Sequence, residues 1–272
     1  GSPDPIRLGA ERTYPSMRFL RDPAQRRYYV PVVLCLALTA LLLLLPTGYE
    51  GAVQYQEADR CAARVLAVPV EDSSGYAAAF ALLAQEENLK VVVCDSETLT
   101  VQQALRDSVL SASAARRERI AVVGGAAGEE VSALVERAKG LNCERVVLVA
   151  PSSVDGEDAA VDGLSTAAAV AGAIASQSDP AIPLGGAELL GLKGLSQQYS
   201  DNDIDLLVRG GVTPLDSTGG TVSVVRGITT RTRSGESEDA TWRELSTVLI
   251  VDDVIPAIRE SLRARFRRAK NT

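Results

Sequence analysis

The chain has 272 residues, 46% of them hydrophobic and 23% charged, which suits one large or two small globular domains and excludes a wholly disordered polymer. It contains no histidine, which rules out Ser-His-Asp and Cys-His nucleophile systems, His-ligated metals and histidine pH switches. Its formal net charge of -7 argues against a chain that binds nucleic acid through a basic surface.

Residues 1–29 are polar, with scattered arginines and prolines. Val30 to Leu45 then reads VPVVLCLALTALLLLL and closes at Pro46-Thr47-Gly48. Preceded by Arg21, Arg26 and Arg27, this stretch reads as a signal-peptide core or a short membrane span, although its ~16 uncharged residues fall below the ~20 of a comfortable span. Its other reading is a buried element of a soluble assembly. Met17 is the only methionine and the chain opens Gly1-Ser2, which reads as a cloning remnant on an excised piece.

From Arg64 onward, short β-rich runs alternate with helical periodicity. Val65 to Val68 reads as a strand ended by Pro69. Tyr76, Phe80, Leu83 and Ala84 share one helix face. Lys90 to Cys94 is an apolar strand, followed by a helix marked by Val101, Ala104, Leu105, Val109 and Ala112. Ile120 to Val123 is a strand ending at Gly124-Gly125; Val131, Leu134, Val135 and Ala138 mark a helix that Gly140 stops. Arg145 to Val149 is a strand stopped by Pro151, and Ala167 to Gln177 is an alanine-rich helix. Strands apolar on both sides imply a mostly parallel, open sheet covered by helices. The fold class is therefore α/β over about 61–180, with 1–60 a separate N-terminal segment and 181–272 a smaller α+β section.

In that last section Ile204–Val208 reads as a short helix. Val212–Leu215 and Thr221–Ile228 read as a hairpin turning at Gly219-Gly220, and Thr247–Val251 as a strand. The final helix is predicted to start after Asp252-Asp253 with Pro256 in its first turn. Ile255, Ile258, Leu262, Phe266 and Ala269 line its apolar face, so Ile258→Asp and Phe266→Asp are each expected to unfold or aggregate the chain. Arg259, Arg263, Arg267, Arg268 and Lys270 crowd the rest, a face suited to nucleic acid, an anionic membrane, an acidic protein surface or plain solvent.

No catalytic constellation emerges, and no cofactor or metal site is assigned. Gly124-Gly125-Ala126-Ala127-Gly128 sits where a dinucleotide fold places its glycine turn, but Ala126 occupies the second glycine position of GxGxxG, so an ordinary tight turn is the better reading. Asp95 ends an apolar strand but reads as a turn or cap residue. Asp155, Glu157, Asp158 and Asp162 match a Ca²⁺ loop in charge only. Asp201, Asn202, Asp203 and Asp205 read as helix-capping residues, and Ser165 has no base to activate it. Cys35, Cys61, Cys94 and Cys143 lack CxxC spacing and suit reduced thiols in a reducing compartment.

Several segments, taken in order, resemble the tail sheath proteins of contractile phage tails. They are RERIAVVGG at Arg117–Gly125, ERVVLVAP at Glu144–Pro151, TAAAVAG at Thr166–Gly172, GVTP at Gly211–Pro214, VVRGITTRT at Val224–Thr232, TWREL at Thr241–Leu245 and IVDDVI at Ile250–Ile255. The resemblance spans about Arg64 to Thr272. It implies a structural protein with a subtilisin-like α/β domain that lacks protease activity. It implies a virion-tail location after assembly in the host cytoplasm, with other sheath subunits, a tail tube protein and baseplate proteins as partners. Subunits of that family surround the tube and shorten to drive it through the host envelope. Members continue into a further α/β piece and a linking arm, so this chain alone is expected to be monomeric or weakly associated at low salt. Under this reading Val30–Leu45 is a buried element, and the basic helix face (Arg259, Arg263, Arg267) meets the acidic loop (Asp155, Glu157, Asp158) of a neighbour. The alternative is a membrane-anchored α/β binding domain without catalytic activity.

Overall fold

The computed structural model describes residues 65–70, 72–154 and 159–267, all within the unit Glu50–Thr272. Val30–Leu45, the loop acids Asp155, Glu157 and Asp158, and the terminal Arg268, Ala269 and Lys270 lie outside the described residues.

Among the described residues the helices are α1 (Tyr76–Leu83), α2 (Leu99–Ala114), α3 (Val131–Leu141), α4 (Leu164–Ser176), α5 (Asp201–Gly210) and α6 (Leu245–Phe266). The strands are β1 (Val91–Val93), β2 (Ile120–Gly124), β3 (Val146–Ala150), β4 (Glu188–Leu189), β5 (Val212–Thr218), β6 (Thr221–Val224), β7 (Arg233–Ser234) and β8 (Ser237–Glu238). Six strands form one sheet in the order β1-β2-β3-β5-β6-β4; β7 and β8 form a separate hairpin. The pairs β1·β2, β2·β3 and β3·β5 are parallel, whereas β5·β6 and β4·β6 are antiparallel. The fold is the mostly parallel α/β sheet expected, and the hairpin strands of the later section extend the same sheet.

The two-sided burial of β2 and β3 explains their unbroken apolar sequences. Ile120, Val122, Val147 and Val149 face a core completed by α4 together with Leu245 and Val248 of α6. Ala121, Val123, Val146 and Leu148 face the opposite core, with Leu105 of α2, Leu134 of α3 and Leu207 of α5. The result is a helix–sheet–helix sandwich. Helix α4 buries Ala167, Ala169, Ala171, Gly172 and Ala173 beside Val170 and Ile174, and the small residues bring its backbone close to the sheet.

Caps set the ends of the helices on the second face. Helix α3 runs through Gly140 to Leu141 and ends at Asn142 in the left-handed region, not at the glycine. The Asn142 carboxamide oxygen accepts from the amides of Thr232 and Arg233, at 3.1 Å each, and so ties this cap to the β7 approach. Helix α5 ends at Gly211, φ 86°, where a Cβ would lie 3.1 Å from the Thr230 carbonyl oxygen.

Five expectations are corrected. Val65–Val68 forms no strand; it is largely exposed and pairs with no strand among the described residues. Thr247–Val251 is helical, and the last helix begins at Leu245, two turns before Asp252. Pro256 therefore lies inside α6 rather than in its first turn. The apolar face of that helix is also not buried: Ile255, Ile258, Leu262 and Phe266 retain 45%, 54%, 51% and 61% exposure. Leu245 and Val248 carry the packing instead, and Ala104 of α2 gives way to a fully buried Gln102.

Candidate functional site

The carboxyl ends of parallel strands are where an open α/β sheet offers a ligand crevice. Here the turn after β2 is filled from within. The Gln102 amide nitrogen donates to the carbonyls of Ser96 (3.1 Å) and Gly124 (3.0 Å). Arg137 of α3 reaches the Glu97 carbonyl at 2.6 Å and the Gln102 amide oxygen at 3.3 Å, and pairs with Glu129 at 3.1 Å. Glu129 in turn accepts from the Ala126 amide at 2.8 Å. A carboxylate of the chain itself thus occupies an amide that a phosphate would use. The glycines serve close approach: a Cβ on Gly124 would lie 2.2 Å from the Gly163 carbonyl oxygen, and one on Gly125 would lie 2.5 Å from a Leu134 methyl. The strand end, the glycine turn and the start of α4 are in direct backbone contact.

The remaining candidates do not converge. Asp95 accepts from the Tyr76 hydroxyl at 2.7 Å. Burial, then that bond, pushes the Tyr76 hydroxyl up to about 12. Asp162 accepts from the Leu164 amide at 3.2 Å, at the entry to α4, and Ser165 lies in that first turn. The cap of α5 is Ser200, completed by Asp203 in a reciprocal capping box; Asp205 pairs with Arg209 at 2.9 Å. Cys94 and Cys143 are buried free thiols, and burial pushes each up to about 11. Among the described residues no group of three or more Cys, Asp or Glu could hold a metal ion, and no helix is long and apolar enough to cross a membrane.

The sequence family described as the phage tail sheath protein central domain matches residues 68–230, well over half of the chain. The chain belongs to the phage tail sheath protein family. A tail sheath protein of Bacillus phage SP01 is 30% identical over 189 residues, which are 67% of this chain and 32% of that protein. Sheath folds are recovered in three dimensions as well. The crystal structure of the sheath tail protein from Desulfitobacterium hafniense aligns with TM-score 0.59 at 12% identity, covering 75% of this chain and 46% of that one. A chain of the anti-feeding prophage baseplate aligns with TM-score 0.61 at 14% identity, covering 82% and 59%. A chain of the contracted helical sheath of the same prophage aligns with TM-score 0.55 at 12% identity, covering 81% and 61%. This sheath chain therefore spans about a third of its phage SP01 relative and about half of the solved chains.

For a sheath protein the relevant sites are surfaces, and α6 provides the most distinctive one. Its first turns pack through Leu245 and Val248. Beyond them two ion pairs hold it to the body. Arg145 donates to both Asp252 carboxylate oxygens, at 2.7 and 2.8 Å, with both side chains 14% exposed. Arg259 donates to Glu118 at 2.6 Å, which holds the Glu118 carboxyl below its ordinary range. Arg263 and Arg267, predicted to share a contact face with Arg259, are exposed. Both ion pairs were missed in the sequence. Their signal is the spacing of Leu245, Val248, Asp252 and Arg259, which marks the body-facing side of one helix.

Proposed function

We propose that this chain is the core of a structural subunit of a contractile tail sheath, which surrounds the tail tube and shortens to drive it through the host envelope. Its partners on this reading are other sheath subunits, the tube protein and baseplate proteins, within a virion tail assembled in the host cytoplasm. The match to the sheath central domain over residues 68–230 carries the reading. The likeness to chains from a contracted sheath and from a baseplate supports it at the level of fold.

A purely structural role without enzymatic activity, cofactor or bound nucleic acid belongs to the same proposal. The lack of histidine, the net charge of -7 and the occupation of the crevice by Gln102, Glu129 and Arg137 all favour it. Residues 61–180 then act as the sheath core, 181–272 as its continuation and 1–60 as an added segment.

Immunogold labelling tests the proposal. Antibodies against the described body should decorate the tail shaft of contractile particles along its length. Label confined to capsids or to host membrane fractions would overturn it.

A further inference from the structure

Helix α6 is fastened along its first half and nearly free along its second. Leu245 and Val248 are buried in the core, and Asp252 is held by two guanidinium nitrogens of Arg145. Beyond Pro256 every residue through Arg267 is exposed except Arg259. Among the described residues Arg259 makes the one ion pair that ties this stretch to the body, to Glu118 at 2.6 Å. A single pair of this kind is a weak fastening with which water and salt compete.

Pro256 marks the change. A proline has no amide to donate to the Asp252 carbonyl one turn back, so the helix lacks a rung there and bends more readily than elsewhere. The distal half also stands over open space. A cleft of about 650 Å³ lies between it and the loops before β1 and β2. Pro256, Glu260 and Arg263 line the helix wall, and Glu87, Lys90 and Arg116 line the facing wall. Charges of both signs on both walls keep the cleft wet, because emptying it would strip their hydration. Ile258 and Leu262, 54% and 51% exposed, lie on the opposite side of the helix, so no apolar packing holds the distal half to the body.

We propose that residues 257–267 form a hinged arm. The arm turns as a rigid rod about Pro256, between the latched position held by Arg259 and Glu118 and a released position swung away from the cleft. The device goes beyond the sheath reading and does not depend on it. Because one ion pair is the latch, the released position is a populated minor state. Releasing the latch moves the arm without unfolding the body, whose buried contacts with α6 end at Val248. Anything that binds the arm in only one of its positions selects that position.

Spin labels test the arm. The background has Cys35 and Cys61 changed to Ser and keeps Cys94 and Cys143, which are buried. Asn88→Cys with Leu262→Cys reports across the cleft, and labelled chains are diluted with unlabelled chain so that only distances within one chain are read. Dipolar spectroscopy should give two distances, the shorter and more populated one being the latched position. Arg259→Ala, or Glu118→Gln if that chain fails to fold, should raise the longer component at least threefold; a single distance that the substitution leaves unchanged overturns the proposal. Pro256→Ala restores the missing amide and should leave one narrow distance; two distances persisting in that variant also overturn it. A pair within the arm, Ala257→Cys with Ala264→Cys, separates turning from fraying. Its dipolar line broadening should stay the same in every variant, and its loss on breaking the latch would mean that the helix melts, which defeats the rigid arm. The labelling of tail shafts is independent of all these outcomes, so failure here leaves the sheath reading standing.

Discussion

Arg145 and Asp252 stand 107 residues apart in the chain and meet end on, the guanidinium Nη1 and Nη2 donating to the two carboxylate oxygens at 2.7 and 2.8 Å. Arg145 precedes β3 at the sheet's end; Asp252 lies in the second turn of α6. The pair fixes the helix in register against the body. Removing one member leaves the other charge shielded from water without its partner. Arg145→Met is expected to lower stability by about 3–5 kcal/mol, while Arg145→Met with Asp252→Leu recovers most of that loss. Urea denaturation of the single and double variants checks this.

The backbone contact of Gly124 with Gly163 has no room for a methyl group. A Cβ on Gly163 would lie 2.3 Å from the Gly125 carbonyl oxygen. Gly163→Ala should therefore cost at least ~1–3 kcal/mol by forcing α4 away from β2. A melting curve within a degree of the parent would contradict the contact. Gly219→Ser serves as the comparison, because open space surrounds that position and only its positive φ resists.

Acid should loosen α6. The Arg259 bond holds the Glu118 carboxyl below its ordinary value. A depressed folded value means that this stabilisation is present above the unfolded value and is lost as pH falls through the folded one. Protection of the amides in residues 254–266, taken relative to their intrinsic exchange rate at each pH, should thus fall as pH drops below the ordinary glutamate range. Glu118→Gln should raise exchange at pH 7 and flatten the dependence.

Ile258→Asp and Phe266→Asp should leave the melting temperature essentially unchanged, within the ~0.5 kcal/mol typical of exposed sites. Val248→Asp should be severely destabilising, since Val248 is 2% exposed within the apolar core. The contrast between the three variants, read by calorimetry, separates the anchored base of α6 from its projecting half.

Thiol labelling should spare Cys94 and Cys143. Both are buried, and burial pushes each thiol up to about 11, so little thiolate exists at neutral pH. Mass mapping after alkylation of the native protein at pH 7.5 should find these two unmodified, and unfolding in guanidinium should expose them.

The parallel sheet was legible because β2 and β3 are buried on both faces and so are apolar at every position. The short run Thr247–Val251 carried the same apolar character, and a run that short does not distinguish strand from buried helix by period alone. Asp252, Asp253 and Pro256 then imitated a helix start. What decides the matter is tertiary: Leu245 and Val248 fit the core as helix, and Asp252 finds Arg145 from 107 residues away in the chain. The apolar face of α6 was read correctly as a face. Periodicity reports that a side of a helix is apolar; it does not report what covers it. The filling of the β2 turn was equally hidden, because Gln102, Glu129 and Arg137 become neighbours only once α2 and α3 lie side by side.

The alanine layer of α4 bears on how force would pass through this molecule. Alanine and glycine have no side-chain torsion to change, so Ala167, Ala169, Ala171, Gly172 and Ala173 cannot absorb a shift of the sheet by adopting other rotamers. Interiors packed to crystal density are already nearly incompressible, and on α4 only Val170 and Ile174 of the side chains in this core have rotamers to change. A shift of the sheet is therefore passed to α4 with little side-chain rearrangement on the helix. The give must then reside at the periphery, above all in the half of α6 beyond Pro256, where a proline has removed one rung of the helical ladder.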